Sequence, residues 1–260
     1  MILKSNNYQQ STNNNQLMIK LKHYSTLPPK GFSRIECNKE LSDFSKKLFE
    51  LQNIFYADSR FALLIILQGT DTSGKDGTIR HVMSCMNPMG VNVKSFKKPT
   101  EEEKKHDFLW RIYDHFPSKG MIEVFNRSYY EDIIVPLIDN KISKTELLNR
   151  YKLFNILEKH LKLSGIHVLK FFLHISKDQQ VKRIQQRFSL PHKRWKYSKE
   201  DEKSAEKWAD YQVAHEAIIN NCNDNKWIII PSDKKWYRNY AVSKIITNHL
   251  ESLHLNYPES

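Results

Sequence analysis

The residues best suited to chemistry lie in the stretch FALLIILQGTDTSGKDGTIR, residues 61–80. Residues 69–75 follow the spacing G-x-x-x-x-G-K, in which backbone N–H groups surround phosphate oxygens and the lysine reaches the outer phosphates. An apolar run before this loop predicts a buried strand, and a helix is predicted after it, as the motif requires. The alternative is a glycine-bearing turn that binds nothing. Lys75 is the predicted catalytic cation, and phosphate binding is predicted for Gly69, Thr72, Ser73, Gly74, Asp76, Gly77 and Thr78.

Two carboxylates accompany this loop. Asp71 lies inside it, and Asp76 follows Lys75 at the position where Ser or Thr usually binds Mg²⁺. A carboxylate among phosphates repels them unless a cation lies between the two. The loop therefore indicates a metal-bridged phosphate site with an altered ligand set, in which Asp71 is a ligand.

A second set of polar residues, NRSYYED at 126–132, follows another predicted strand. A phosphate-loop enzyme needs acids that place Mg²⁺ at the transferred phosphoryl group. Asn126 is uncharged, so the candidate acids are Glu131 and Asp132 in the first turn of the next helix. The alternative is that both only complement the helix dipole, an effect of about 1 kcal/mol or less. Arg127 is predicted to neutralise phosphate oxygens, or else to pair with one of these acids.

Six basic residues fall within residues 182–196, after the fourth predicted strand. Nucleotide kinases carry a closing lid at this place, and a lid arginine can stabilise charge on a transferred phosphoryl group. The alternative is a solvated basic face. Arg187 is the predicted catalytic residue of this lid, and phosphate binding is predicted for Arg183, Lys193, Arg194 and Lys196.

The elements that position these residues alternate between strands and helices, which predicts an α/β fold: a parallel sheet of about five strands between two helical layers. Ligands of such sheets bind at the carboxyl ends of the strands, where the three stretches above converge. Strands are predicted at 61–67, 91–96, 121–125, 166–175 and 227–230. Helices are predicted at 38–57 (with Asn38 as its cap), 74–86, 100–113, 129–137, 144–163, 177–188, 198–222 and 236–255.

Composition predicts a single domain over residues 20–260, with a helical lid at about 180–205, after a disordered Asn/Gln-rich tail at residues 1–19. The net charge of +12 favours a polyanionic partner, although charge that serves only solubility is the alternative. Apolar runs of about seven residues are too short to span a membrane, and the three scattered cysteines favour the cytoplasm. Neither a membrane nor a nucleic acid is expected as a partner.

The residues favour one reaction class. No nucleophile and base stand at a supporting spacing, and phosphoryl transfer to another phosphate needs none, because the acceptor oxygen is already ionised. Two alternatives stay open: an ATP-dependent nucleoside monophosphate kinase and a basic module that binds polyanions without turnover.

Seven blocks spread along the chain, in order, resemble the second polyphosphate kinase family. They are GTDTSGKDGTIRHV, NPMGVNVKSFKKPT, HDFLWR, FNRSYYED, LKFFLHISKDQQVKRI, KRWKY and SDKKWYRN. The resemblance runs from about residue 20 to about residue 255, and FNRSYYED and KKWYRN resemble the class III branch. Tyr129 departs from that branch, which often has His at this position.

This resemblance implies a kinase-like phosphate-loop fold and Mg²⁺-dependent phosphoryl transfer, with Mn²⁺ as a substitute, between inorganic polyphosphate and AMP or ADP. It also implies guanine nucleotides as further acceptors and a homo-oligomer, dimer or tetramer. Asp71 and Asp132 match the metal ligands. The class I branch has Asp where this chain has Asn126, which implies that the acid has moved along the helix and that Glu131 selects AMP.

Overall fold

Five parallel strands form the sheet at the centre of the computed structural model, which describes residues 18–259. The spatial order is β2-β3-β1-β4-β5, so the phosphate-loop strand β1 lies in the middle. The predicted α/β fold is confirmed, whereas residues 1–17 of the predicted tail lie outside the described residues. The strands are β1 Ala62–Gln68, β2 Val91–Ser95, β3 Ile122–Asn126, β4 Ile166–His174 and β5 Trp227–Pro231.

Helices cover both faces of this sheet, because β1 buries alternate side chains on opposite sides. Leu63, Ile65 and Leu67 pack against α1, α2 and α10, while Leu64 and Ile66 pack against α4, α5 and α9. The helices are α1 Arg34–Asp58, α2 Lys75–Val82, α3 Trp110–Tyr113, α4 Glu131–Ile138, α5 Lys144–Leu163, α6 Lys177–Ser189, α7 Pro191–Arg194, α8 Lys199–Glu206, α9 Trp208–Asn221 and α10 Lys235–Glu251.

Most predicted helices differ from the structure at their ends, and three differ in the residue that caps or interrupts them. The first begins at Arg34, because Ser33 rather than Asn38 is its cap: the Ser33 hydroxyl accepts from the Glu36 N–H at 3.2 Å and donates to its carboxylate. The predicted helix at 100–113 consists of a 3₁₀ turn and the short α3, because the Asp107 carboxylate accepts from the Leu109 N–H and interrupts it.

The predicted helix at 198–222 is divided into α8 and α9, because Lys207 leaves helical geometry with φ −84° and ψ 25°. This break separates the end of the lid segment (residues 180–205) from α9, which packs on the sheet. The segment between α6 and α8 contains the short α7, which has Pro191 in its first turn. Among the described residues, no helix has the length and apolar character needed to cross a bilayer.

Candidate active site

The phosphate loop joins β1 to α2 and encloses the Lys75 ammonium. Gly69 must be glycine, since its φ is +148° and a Cβ there would lie 2.8 Å from the Leu173 carbonyl oxygen. The Lys75 Nζ donates to the carbonyl oxygens of Gly69 at 2.8 Å and Thr70 at 3.1 Å. Burial, reinforced by the nearby Arg127, lowers the pKa of Lys75 to about 8. The loop thus holds a desolvated cation at the carboxyl end of the central strand.

Arg127 lies beside this loop because β3 pairs with β1, with Leu67 opposite Asn126. Its guanidinium forms an ion pair with Asp71 and lies 3.9 Å from the Glu131 carboxylate. Burial opposes ionisation of Asp71, but Arg127 and Lys75 outweigh it and lower the pKa of that carboxyl group. Of the ion pairs left open as the alternative for Arg127, the one with Glu131 forms, whereas its closer partner Asp71 was not predicted.

Asp76 connects the loop to the lid. Its carboxylate accepts from the Asn126 Nδ2 and from the Lys196 Nζ, both at 2.9 Å. Burial raises the pKa of Asp76, but these hydrogen bonds dominate and lower it to about 2. A basic residue of the lid thus reaches across the site to the first turn of α2.

The predicted arginines of the lid have different surroundings. Arg183 is buried, and its Nη atoms donate to the carbonyl oxygens of Thr72 and Ser73 and to those of Ser232 and Asp233, at 2.6–3.0 Å. Arg183 therefore stabilises the loop through its backbone carbonyl oxygens, and it also lines the cavity.

Arg187 pairs with Asp201 of α8 at 2.6 Å and lines the cavity. Arg194 is exposed, its Nε donates to the Phe188 carbonyl oxygen at 3.4 Å, and it does not line the cavity.

An open cavity of about 890 Å³ lies between the loop and the lid. Most predicted site residues line it: Asp71, Thr72, Gly74, Lys75, Asp76, Gly77, Asn126, Arg127, Arg183, Arg187, Lys193 and Lys196. Gly69, Ser73 and Thr78 do not line the cavity and belong to the framework of the loop; Ser73 and Thr78 are fully buried. Five further arginines and lysines that the sequence analysis did not assign to the site also line it: Arg80, Lys97, Lys98, Lys235 and Arg238. Lysine pairs in the blocks SFKKPT and SDKKWYRN were the available signal.

The two acids of α4 face different neighbours. Glu131 faces the loop, and its Oε1 accepts from the Gln68 Nε2 at 2.5 Å. Asp132 does not line the cavity; its neighbouring cations are Arg111 and Arg150. Burial raises the pKa of Asp132 to about 6 despite these cations.

Asp132 is half-buried as a residue, but its Oδ2 atom is buried and has no hydrogen-bond partner among residues 18–259. A role of Asp132 in metal binding stays a prediction.

The carboxylates present fit a divalent cation that is shared with substrate. Within residues 18–259, no three His, Cys, Asp or Glu side chains form a cluster able to hold a metal ion by themselves. Mg²⁺ needs no such cluster, since one or two carboxylates and substrate phosphates commonly complete its octahedron with water. Asp71 supplies a carboxylate on the cavity wall, whereas the unpartnered Oδ2 of Asp132 lies off that wall, so a role for it as a second ligand stays a prediction.

A buried polar network holds the segment that carries Arg127. The Lys170 Nζ of β4 lies 2.7 Å from the Glu158 carboxylate, and both side chains are inaccessible to solvent. The hydroxyl groups of Tyr129 and Tyr130 donate to the same carboxylate at 2.7 and 2.5 Å. Since each of these buried polar groups has a hydrogen-bond partner, the network holds the turn between β3 and α4 in place. Sequence reasoning missed it, because Lys170 stands in an apolar run without a visible partner.

A strand, a lysine-bearing loop and a helix, with an arginine from the next strand and a basic helical cover, define the class of phosphate-loop phosphotransferases. Residues 31–257 match the sequence model of the family Polyphosphate kinase 2. The chain belongs to the polyphosphate kinase 2 family.

Individual relatives agree with this membership. An AMP/ADP-polyphosphate phosphotransferase of Meiothermus ruber is 42% identical over 221 residues, which cover 84% of this chain and 83% of that protein. An ADP-polyphosphate phosphotransferase of Rhodopseudomonas palustris is 40% identical over 229 residues, or 83% and 79% of the two chains. The crystal structure of polyphosphate kinase 2 from Arthrobacter aurescens superimposes with a TM-score of 0.87 at 37% identity, over 91% of this chain and 86% of that one.

Proposed function

We propose that this chain transfers the terminal phosphoryl group between inorganic polyphosphate and AMP or ADP, mainly in the direction that forms nucleotides. The observation that carries the proposal is the cavity between loop and lid, whose walls hold many cations. A long polyanion needs this charge, and an ionised phosphate acceptor needs no base. The family and the substrates named for its relatives support the same reaction.

In this reaction the bond between the terminal phosphorus of polyphosphate and its bridging oxygen breaks. The oxygen remains on the shortened chain, and a new bond forms to a phosphate oxygen of the nucleotide. Lys75 and the loop N–H groups hold the reacting phosphates, while Arg127 and Arg187 neutralise charge on the transferred group. Lys193 and Lys196 close over the chain from the lid.

Mg²⁺, for which Mn²⁺ can substitute, would be held by Asp71 and Asp132 together with phosphate oxygens. When bound, the ion neutralises phosphate charge and orients the donor and acceptor. Asp71 is paired with Arg127, so an ion bound there competes with that guanidinium for the carboxylate. We further propose a cytoplasmic homo-oligomer, dimer or tetramer, which light scattering of the purified protein tests.

A matrix of donors and acceptors tests the function: polyphosphate or ATP is supplied with AMP, ADP, GMP or GDP, and the products are resolved by chromatography. Polyphosphate with AMP, in the absence of ATP, is expected to yield ADP and then ATP. Guanine acceptors are expected to react as well. Transfer from ATP alone would establish a nucleoside monophosphate kinase instead, and binding without any turnover would establish a polyanion-binding module.

A further inference from the structure

The start of α10 brings two cations to the phosphate loop that the proposed reaction has not used. Arg238 and Lys235 both line the cavity, on the side of β4 and β5. Arg127 lies on the opposite side of the loop, at the end of β3. The cavity therefore has two ends, as a reaction with two phosphorylated substrates requires.

Arg238 is a buried cation without a counter-charge. Its side chain is only 2% exposed, and its hydrogen bonds go to neutral oxygens, those of the Asn239 amide and the Ser73 carbonyl. No acid of the described residues forms an ion pair with it, and burial lowers its pKa to about 9. A buried charge is costly unless an opposite charge pairs with it, so this guanidinium lacks an anion.

The loop is shaped around this guanidinium. A Cβ added to Gly74 would overlap its Nη1, and one added to Gly77 would lie 3.0 Å from its Nη2. Gly74 of the phosphate loop and Gly77 of α2 thus leave room for an arginine from a helix more than 150 residues further along the chain. The charge of Arg238 is brought to the loop where phosphates bind.

The neighbours of Arg238 are also cations. Lys235 is exposed as a residue. Partial burial lowers its pKa, and the charges of Lys193, Arg183 and Arg238 lower it further. This set, the α10 cluster (Arg183, Lys193, Lys235 and Arg238), repels itself until an anion binds. On the side of β3, Asp71 pairs with Arg127 and Asp76 accepts from Asn126, and these groups suit a nucleotide with a metal ion.

We propose that the α10 cluster is a subsite for the polyphosphate donor, in which Lys235 and Arg238 bind phosphates of the chain that follow the transferred group. The proposal rests on the proposed function. A nucleotide carries too few phosphates to need four cations beyond those of the loop, whereas a chain with a charge on every phosphate extends along them. Arg238 is then a binding residue for the donor.

The test compares Lys235→Ala and Arg238→Gln with wild type, using tripolyphosphate and a long polyphosphate as donors and saturating ADP. Each variant is expected to raise KM for the long chain by about five- to tenfold, since one charged contact is lost. KM for ADP and kcat are expected to stay within about twofold. The plot of log affinity against log salt for the long chain should become shallower by about one per cation removed.

Lys159→Ala on α5, in the helical layer on the other face of the sheet, is the matched control and should leave every constant unchanged. Unchanged KM for the long chain in both variants would overturn the subsite. A fall in kcat with both donors in Arg238→Gln, without an effect of Lys235→Ala, would assign Arg238 a structural role only. If Arg238→Gln does not fold, KM of Lys235→Ala for the long chain is the deciding measurement, because Lys235 is exposed.

Binding of fluorescently labelled long polyphosphate separates this test from that of the proposed function. A wild-type protein that binds the chain but transfers nothing would refute the reaction and leave the subsite to be judged from the affinities of the variants.

Discussion

The Lys75 ammonium donates to two carbonyl oxygens of its own loop, which hold it where phosphates bind. Because its side chain is 7% exposed, little water competes for it, and its charge acts at full strength on a bound phosphate. Arg127 and Arg238 approach the same loop from opposite sides, one paired with acids and one without. At the scale of single residues, the site is a set of desolvated cations.

Lys75→Ala is expected to lower kcat by about a hundred- to a thousandfold, the effect of removing one preorganised donor to a transition-state charge. ATP formation from polyphosphate and ADP, followed by a coupled luminescence assay, measures it. Lys159→Ala on α5 is the control for loss of a surface charge. If catalysis survives in Lys75→Ala, the phosphate loop is not the reaction centre.

Glu131→Asn is expected to reduce the use of AMP more than the use of ADP. Glu131 holds Gln68 and lies close to Arg127, and AMP has one phosphate fewer to bind the loop if that arrangement shifts. The ratio of kcat/KM for the two acceptors measures the effect, with Glu50→Asn on the exposed side of α1 as control. Equal losses for both acceptors would refute a selective role.

At the scale of elements, the turn from β3 into α4 and the lid place the site. The turn is held in place because the hydroxyl groups of Tyr129 and Tyr130 donate hydrogen bonds to the buried Glu158 carboxylate. Two sets of contacts connect the lid to the loop and to α2. Arg183 donates to the loop carbonyl oxygens, and Lys196 donates to the Asp76 carboxylate. The contact of Lys196 with Asp76 is exposed, whereas the contacts of Arg183 are buried.

Asp132→Asn, in the first turn of α4, is expected to lower turnover by about a hundredfold at saturating Mg²⁺ if Asp132 binds the metal. Its effect on folding has a defined sign. An acid whose folded pKa is about 6, above its usual 3.8, makes the free energy of unfolding fall as pH rises from about 4 to about 6. Removing the charge should therefore stabilise the variant relative to wild type above pH 6, by at most about 3 kcal/mol.

Urea unfolding at about pH 4 and about pH 8 measures this difference, which should disappear at the lower pH. Asp139→Asn at the other end of α4 is the control, since Asp139 is exposed and pairs with lysines. Wild-type turnover in Asp132→Asn would contradict the metal role, and a loss of stability at both pH values would contradict the cost of burying this carboxylate.

At the scale of the whole molecule, the net charge of +12 is focused where the strands end. The cavity joins basic residues from β2, β3, the lid and α10, so that a long polyanion meets positive charge along its path. Such a field raises both the affinity and the rate of association.

The affinity for long polyphosphate is accordingly expected to fall by about tenfold or more between low and physiological salt. Binding releases counterions from the polyphosphate chain, and this release is less favourable at higher salt. KM for ADP should change much less, since fewer cations bind it. Steady-state kinetics in a potassium chloride series with free Mg²⁺ held constant measures both. Equal salt dependence for the two substrates would refute an extended basic channel.

The class of fold and the phosphate loop could be predicted from the amino-acid sequence alone. Apolar runs of strand length, the spacing G-x-x-x-x-G-K and the alternation of elements are local features. Such features can be recognised directly in the amino-acid sequence. The helix Lys144–Leu163 was predicted to the residue, and most predicted site residues do line the cavity. The caps and breaks at Ser33, Asp107 and Lys207 were missed, because short hydrogen bonds of single side chains decide them.

Which charged side chains pair with one another could not be predicted from the sequence and became clear from the folded chain. The tertiary structure paired Arg127 with Asp71, turned Glu131 toward the loop and Asp132 toward Arg111 and Arg150, and buried Arg183 behind the loop. It also brought Arg238 of α10 against Gly74. The physical reason is that ion pairing depends on distance in space and on burial, and the order of the strands sets both across more than a hundred residues of chain.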